Sequence, residues 1–202
     1  MVERNSDRAA GIALIGAAVM SMFTMAHHPT SMAAGALIGI VHGVMILLVG
    51  VMTYGFAHYA GRRGLERPLV LAGLIAFAIG AAAGIGAGTI NGFIAPAVRQ
   101  HEPAVSQDLV VLAWEANQAL AKLGVVATGA AYALWSLDLW RDRKLVALLG
   151  LVAGGVPALL LIGGWLNMHL HAAILVYGTQ ALWAILIGWL LWRGALTPAS
   201  TD

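Results

Sequence analysis

The chain has 202 residues, 60% of them hydrophobic and only 10% charged, with a mean hydropathy of +0.85. Soluble domains carry about 25% charged residues, so the composition argues against a soluble globular domain and for the membrane class. The formal net charge of +2 comes from basic residues that form no nucleic-acid patch, and the absence of cysteine removes disulfides, thiolate metal sites and a cysteine nucleophile.

The N-terminal segment MVERNSDR mixes acids and bases, and the apolar run after it ends at MAHHPT without a small-x-small cleavage pattern. It reads as a first transmembrane helix, not a removed signal peptide. Six apolar spans follow in order: 9–27, 31–60, 68–95, 108–137, 144–165 and 170–193. Each holds roughly the 20 residues that carry a helix across a bilayer. The runs are continuous, not alternating, which selects helices over a barrel. Pro157 falls inside the fifth span, where a kink is expected, and the tail GALTPASTD reads as disordered. The fold expected is an all-α integral membrane protein, one six-helix transmembrane domain over residues 1–202.

Arg4, Arg8, Arg62, Arg63, Arg67, Arg141, Arg143, Lys144 and Arg193 fall on one side of this topology, and Arg99 alone on the other. By the positive-inside rule both termini are cytoplasmic, in a multi-pass protein of the cell membrane, the inner one in a Gram-negative bacterium. Trp114 and Trp165 then mark the outer boundary, and Trp135, Trp140, Trp189 and Trp192 the inner one. His58 and Arg62-Arg63 mark the cytoplasmic interface, within reach of anionic lipid. Gly80, Gly84, Gly88 and Gly92 repeat every fourth position in the third span, and Gly35, Gly39 and Gly43 in the second. Such rows bring helices close and offer a surface for self-association.

The polar residues are unevenly placed. His27, His28, His101, His169 and His171 lie at the outer end, and His42 is central in the second span. In the fourth span Asp108, Glu115 and Lys122 are seven apart and share a helix face. A charge near the bilayer centre costs at least about 2.5–3.5 kcal/mol, so Lys122 is expected to face the bundle interior or a water-filled cavity. The reading is an outward-opening polar cleft. Glu115, Lys122 and His42 are its catalytic candidates, and Asn91, Asn117, Gln118 and Gln180 its lining.

Three kinds of chemistry fit this pattern. Imidazoles of His27, His28, His169 and His171, with Glu115, would hold a transition metal (Zn, Cu or Fe), or one histidine of each pair would clamp haem, for redox or hydrolytic work. A proton-coupled or anionic-solute transporter or channel would use His42, Glu115 and Lys122 as its pathway. A metal-free enzyme would use the same groups as acid and base on a small molecule the sequence does not identify, and a structural subunit of a membrane complex needs none of them. The partner common to all of these is the lipid bilayer.

Overall fold

The computed structural model describes residues 2–29, 34–101 and 106–196. The described residues are helical, with no strand: α1 (Val2–Ala26), α2 (Ala36–Arg63), α3 (Pro68–Thr89), a π-helical segment (Ile90–Ile94), the short α4 (Ala95–Gln100), α5 (Gln107–Leu139), α6 (Lys144–Ile162) and α7 (Leu170–Trp192). The run from Pro68 to Gln100 is one continuous rod, so six helices are long and apolar enough to cross a membrane. Their outer faces carry large apolar side chains, with Leu47, Leu145 and Ile162 each about 70% exposed. A multi-pass membrane protein accommodates such a surface and a soluble one does not. Pro157 lies buried within α6 without ending it. The C-terminal tail from Thr197 onward lies outside the described residues.

The long helices form a ring. Each packs on its neighbour in sequence, and α7 closes the ring against α1. Three of these contacts are backbone on backbone. A Cβ added to Gly11 would stand 2.5 Å from the carbonyl oxygen of Gly188, and one on Gly129 would stand 2.5 Å from that of Gly154. One on Gly80 would stand 3.0 Å from the carbonyl of Gly124. The glycine row of α3 is therefore a packing device, but it serves two neighbours. Gly80 meets α5, whereas Gly88 meets Ile46 and Gly92 meets His42, both on α2. The reason is helical phase, since each four-residue step overshoots a full turn by about 40°.

Where the ring is tight, aromatic rings fill it. Phe56, Phe77, Tyr132, Trp135 and Trp183 stack at the centre, with Phe56 and Trp135 at 5.1 Å and Trp135 and Trp183 nearly parallel at 13°. Trp135 is thus no boundary residue. It is fully buried, and its indole N–H donates to the Val70 carbonyl at 3.1 Å. Trp183 donates likewise to Val146 at 3.0 Å. Gly73 and Gly150 leave the space these indoles occupy.

Ion pairs cap the same end. Arg63, with only 1% of its side chain exposed, pairs with Asp138 at 2.7 Å and Asp142 at 2.9 Å, and Arg67 reaches the other oxygen of Asp138 at 2.8 Å. Arg63 is therefore an interior cation joining α2 to α5, not a lipid-facing one. His58 and Arg62 both meet Asp7 of α1, at 2.7 and 3.2 Å. The first turns of α1 and the segment after α7 lie at this arginine end, where Arg143 donates to the Ala195 carbonyl. Replacing one partner of a buried pair strands the other, at a cost of about 3–5 kcal/mol. Asp138→Leu is expected to reach the lower part of that range, because Asp142 remains, and to appear as a clear drop in Tm in detergent. An unchanged Tm would mean that the Arg63 guanidinium finds water once its main partner is gone.

Candidate functional site

The ring opens toward its other end, here the histidine end. A cavity of about 560 Å³ lies there, with Phe77 and Tyr132 of the aromatic plug at its floor. Its walls are mostly apolar. His28, His42, Asn91, Asn117, Gln118 and Gln180 supply most of the polar lining.

Three of these residues meet through a local irregularity of the backbone. The π-helical segment Ile90–Ile94 widens the rod after α3 and carries Asn91 and Gly92 against α2. Such insertions are frequent at functional sites. A Cβ on Gly92 would collide with the His42 side chain, so the glycine lets His42 stand there. The Nδ1–H of His42 donates to the Ile38 carbonyl at 2.7 Å. A carbonyl only accepts, so the neutral ring keeps its lone pair on Nε2. That lone pair faces His28 Nε2 at 3.1 Å and Asn91 Nδ2 at 3.0 Å. The two imidazoles meet edge to face, at 79°.

His28 sits just beyond the end of α1 and is half-buried. Burial pushes its pKa below the ordinary 6.5, the neighbouring His42 lowers it further, and a hydrogen bond to the Pro29 backbone opposes both. Deeper in the cavity, Gln180 is 5% exposed and its Nε2 has no hydrogen-bond partner. The Tyr132 hydroxyl donates to the backbone carbonyl of the same residue at 3.4 Å. Asn117 is buried in the opposing wall of α5.

The six expected residues His28, His42, Asn91, Asn117, Gln118 and Gln180 thus share one cavity. His169 joins them as an exposed lining residue, whereas Glu115, Lys122, His27 and His171 do not. Glu115 and Lys122 are exposed on the outside of α5, away from the cavity lining, which corrects the expectation that they form its wall. Their spacing does put both on one face, but it is the opposite face. α5 turns Asn117 and Ala121 inward, and Glu115, two residues before Asn117, points about 200° away from it.

His27 is exposed and folds back on its own helix, with Nδ1 at 2.9 Å from the Phe23 carbonyl. His171 is exposed outside the cavity, and His169 stands at its mouth, 6.1 Å from the Trp114 ring. Among the described residues no three of His, Cys, Asp and Glu converge, so the four-histidine rim with Glu115 is not assembled. His28 instead meets His42. The sequence placed these two at different depths because it began the second span at residue 31. The helix begins at Ala36, which puts His42 only about 9 Å below its start. Sequence reasoning also missed Met25, Met45 and Tyr132 in the lining; apolar side chains in an apolar helix give no signal of which way they face.

No protein-family model matches the chain, and no curated protein or solved structure matches it.

The lowered pKa of His28 sets a pH dependence. Around the ordinary value the folded state binds fewer protons than the unfolded one, so stability is fully present above pH 6.5 and is lost as pH falls through the lowered value. His42 and Arg99 line the same cavity and oppose a second positive charge there. Tm in detergent is expected to fall as the pH is taken from about 7.5 to 5, and His28→Gln is expected to flatten that fall. An equal fall in the variant would assign the dependence to groups other than His28.

Proposed function

We propose that this is a multi-pass protein of the cell membrane, both termini cytoplasmic, that binds a small lipid-soluble molecule in a cavity open to the outer side. The molecule's polar group is held at His28, His42 and Asn91, where the imidazoles can exchange a proton with it. The observation that carries this reading is a mostly apolar cavity of about 560 Å³ with a few polar side chains converging on it. Ligand sites commonly have this size and character, roughly 300–1,000 Å³ with a small number of placed polar groups. The side assignment rests on the nine basic residues at the arginine end.

The alternatives draw less support. A transporter or channel needs a path through the arginine half, which is filled by stacked aromatics and capped by Arg63 with its carboxylates. Glu115 and Lys122, its charged candidates, lie outside the cavity.

One observation favours a second reading, a soft metal ion. Two imidazole nitrogens 3.1 Å apart have the separation of neighbouring ligands on one small cation. Met25 and Met45, each three residues from one of these histidines, line the same cavity and offer thioethers of the kind that select Cu(I).

The test uses the purified protein in detergent, with the ketone tetralone and its parent hydrocarbon tetralin as probes. Tetralone is expected to bind about five-fold more tightly than tetralin, the worth of one net hydrogen bond, and Asn91→Leu, which removes the amide donor, to remove the difference. Equal binding of the two, or none, would reject the reading. Stoichiometric copper in the wild type that is lost in His28→Leu and His42→Leu would establish the metal instead.

A further inference from the structure

The mouth of the cavity carries a charge that the histidine pair does not use. Nine of the eleven basic residues lie at the arginine end, and Lys122 is exposed on the outside of α5. Arg99, in the last turn of α4, is the one that reaches the cavity, and it is exposed there. Among the described residues it has no carboxylate partner and no hydrogen bond. The cavity is lined by Arg99 and by His28, His42 and His169, and among the described residues by no aspartate or glutamate. A free guanidinium is a planar set of donors matched to a carboxylate or phosphate. With no acid in the lining to neutralise it, this mouth favours an anion.

The shape of the cavity narrows the choice. On the rod of α3 and α4 the lining runs from Phe77 to Arg99, and on α5 from Val110 to Tyr132. Each stretch is roughly 33 Å long at 1.5 Å per residue. A volume of about 560 Å³ spread over that length makes a narrow tube, which suits one extended apolar chain. Trp114 stands at the mouth and is 43% exposed. Tryptophan settles at headgroup depth. The mouth is therefore level with the polar heads of membrane amphiphiles, and the tube leads inward from there.

We infer that the ligand is a single-chain amphipathic anion of the fatty-acid type. Its carboxylate pairs with the Arg99 guanidinium at the mouth, and its chain runs down the tube toward Phe77 and Tyr132. Asn91 lies eight residues before Arg99 on the rod, about 12 Å deeper, so the polar group received there sits part-way along the chain. This rests on the reading of the cavity as a site for a lipid-soluble molecule, and adds a charged end to that molecule.

The experiment measures how dodecanoate and dodecanol, chains of one length with and without the charge, displace tetralone from the purified protein in non-ionic detergent. It is run at about pH 8.5, where the acid is ionised. The ratio of the two affinities is compared between wild type and Arg99→Gln, which cancels the different partitioning of the two chains into micelles. The ratio is expected to favour dodecanoate about five-fold more in the wild type, the upper end for an exposed ion pair. The preference is expected to shrink as salt is raised from about 0.05 to 1 M. Dodecanol should bind both proteins alike.

An equal ratio in the two proteins, or dodecanoate that binds and leaves tetralone in place, would overturn the anionic end while the cavity reading stands. Phosphatidylglycerol that displaces tetralone as well as dodecanoate does would assign the mouth to a bilayer phospholipid and overturn the single chain. If tetralone fails to bind better than tetralin, the cavity reading itself has failed and the inference falls with it. Arg99 has no bond to lose, so the Tm of Arg99→Gln without ligand is expected to be unchanged. Should the variant not fold, the salt dependence of the wild-type ratio decides, and a ratio indifferent to salt overturns the ion pair.

Discussion

Backbone-on-backbone contact between glycines sets the diameter of the ring. At Gly11–Gly188, Gly80–Gly124 and Gly129–Gly154 the helices touch through positions with no side chain. Without a hydrophobic drive to bring helices together in lipid, close van der Waals approach is a main source of association. These contacts lie in the arginine half and the middle of the bundle. Gly11 is in the early part of α1 and Gly188 is late in α7, both near that end, while Gly124 and Gly129 lie past the midpoint of α5. Toward the histidine end the approach is looser among the described residues, with a Cβ on Gly39 reaching the Gly92 carbonyl only at 3.7 Å, and the ring widens into a cavity.

The two halves are therefore built for different tasks. In the narrow half Gly73 and Gly150 admit the indoles of Trp135 and Trp183, whose N–H groups are satisfied by backbone carbonyls of α3 and α6. Each of those bonds fixes an aromatic ring to a second helix. Together with Arg63 spanning α2 and α5, they fill and tie this end of the bundle. In the wide half, polar side chains meet across gaps, and the π-helical segment supplies the one backbone distortion needed to bring Asn91 to His42. A filled floor under a polar pocket is the arrangement on which the proposed binding role rests.

Much of this was legible in the sequence, and what was not has a common cause. Helix number and order follow from apolar runs and breakers, because a bilayer imposes a length on each span. The clustering of His42, Asn91, Asn117, Gln118 and Gln180 followed from their depth. Rotation about the helix axis did not follow. In a soluble helix the polar face identifies the outside, but in lipid the bundle face and the outer face are both apolar. Glu115 and Lys122 were therefore put on the shared face their spacing defines, but on the wrong side of α5. The same ambiguity moved Trp135 from an expected boundary into the core. The pairing of His28 with His42 was hidden by a smaller error, five residues in the start of one helix.

The histidine pair also separates the two readings of the cavity by the position of a single proton. A metal ion needs both Nε2 lone pairs free, with the proton of each ring held elsewhere. For His42 the Ile38 carbonyl already holds it, so this ring is fixed as an acceptor at Nε2 in either case. His28 is the ring that decides. With its proton on Nε2 it would donate, but this ring gives its N–H to the Pro29 carbonyl, which leaves the Asn91 amide as the donor at this pole. With its proton on Nδ1 it accepts, and two lone pairs 3.1 Å apart repel until a cation lies between them. The Asn91 amide, which donates to His42 Nε2 at 3.0 Å, competes with a cation for that lone pair and is the donor a carbonyl ligand would meet.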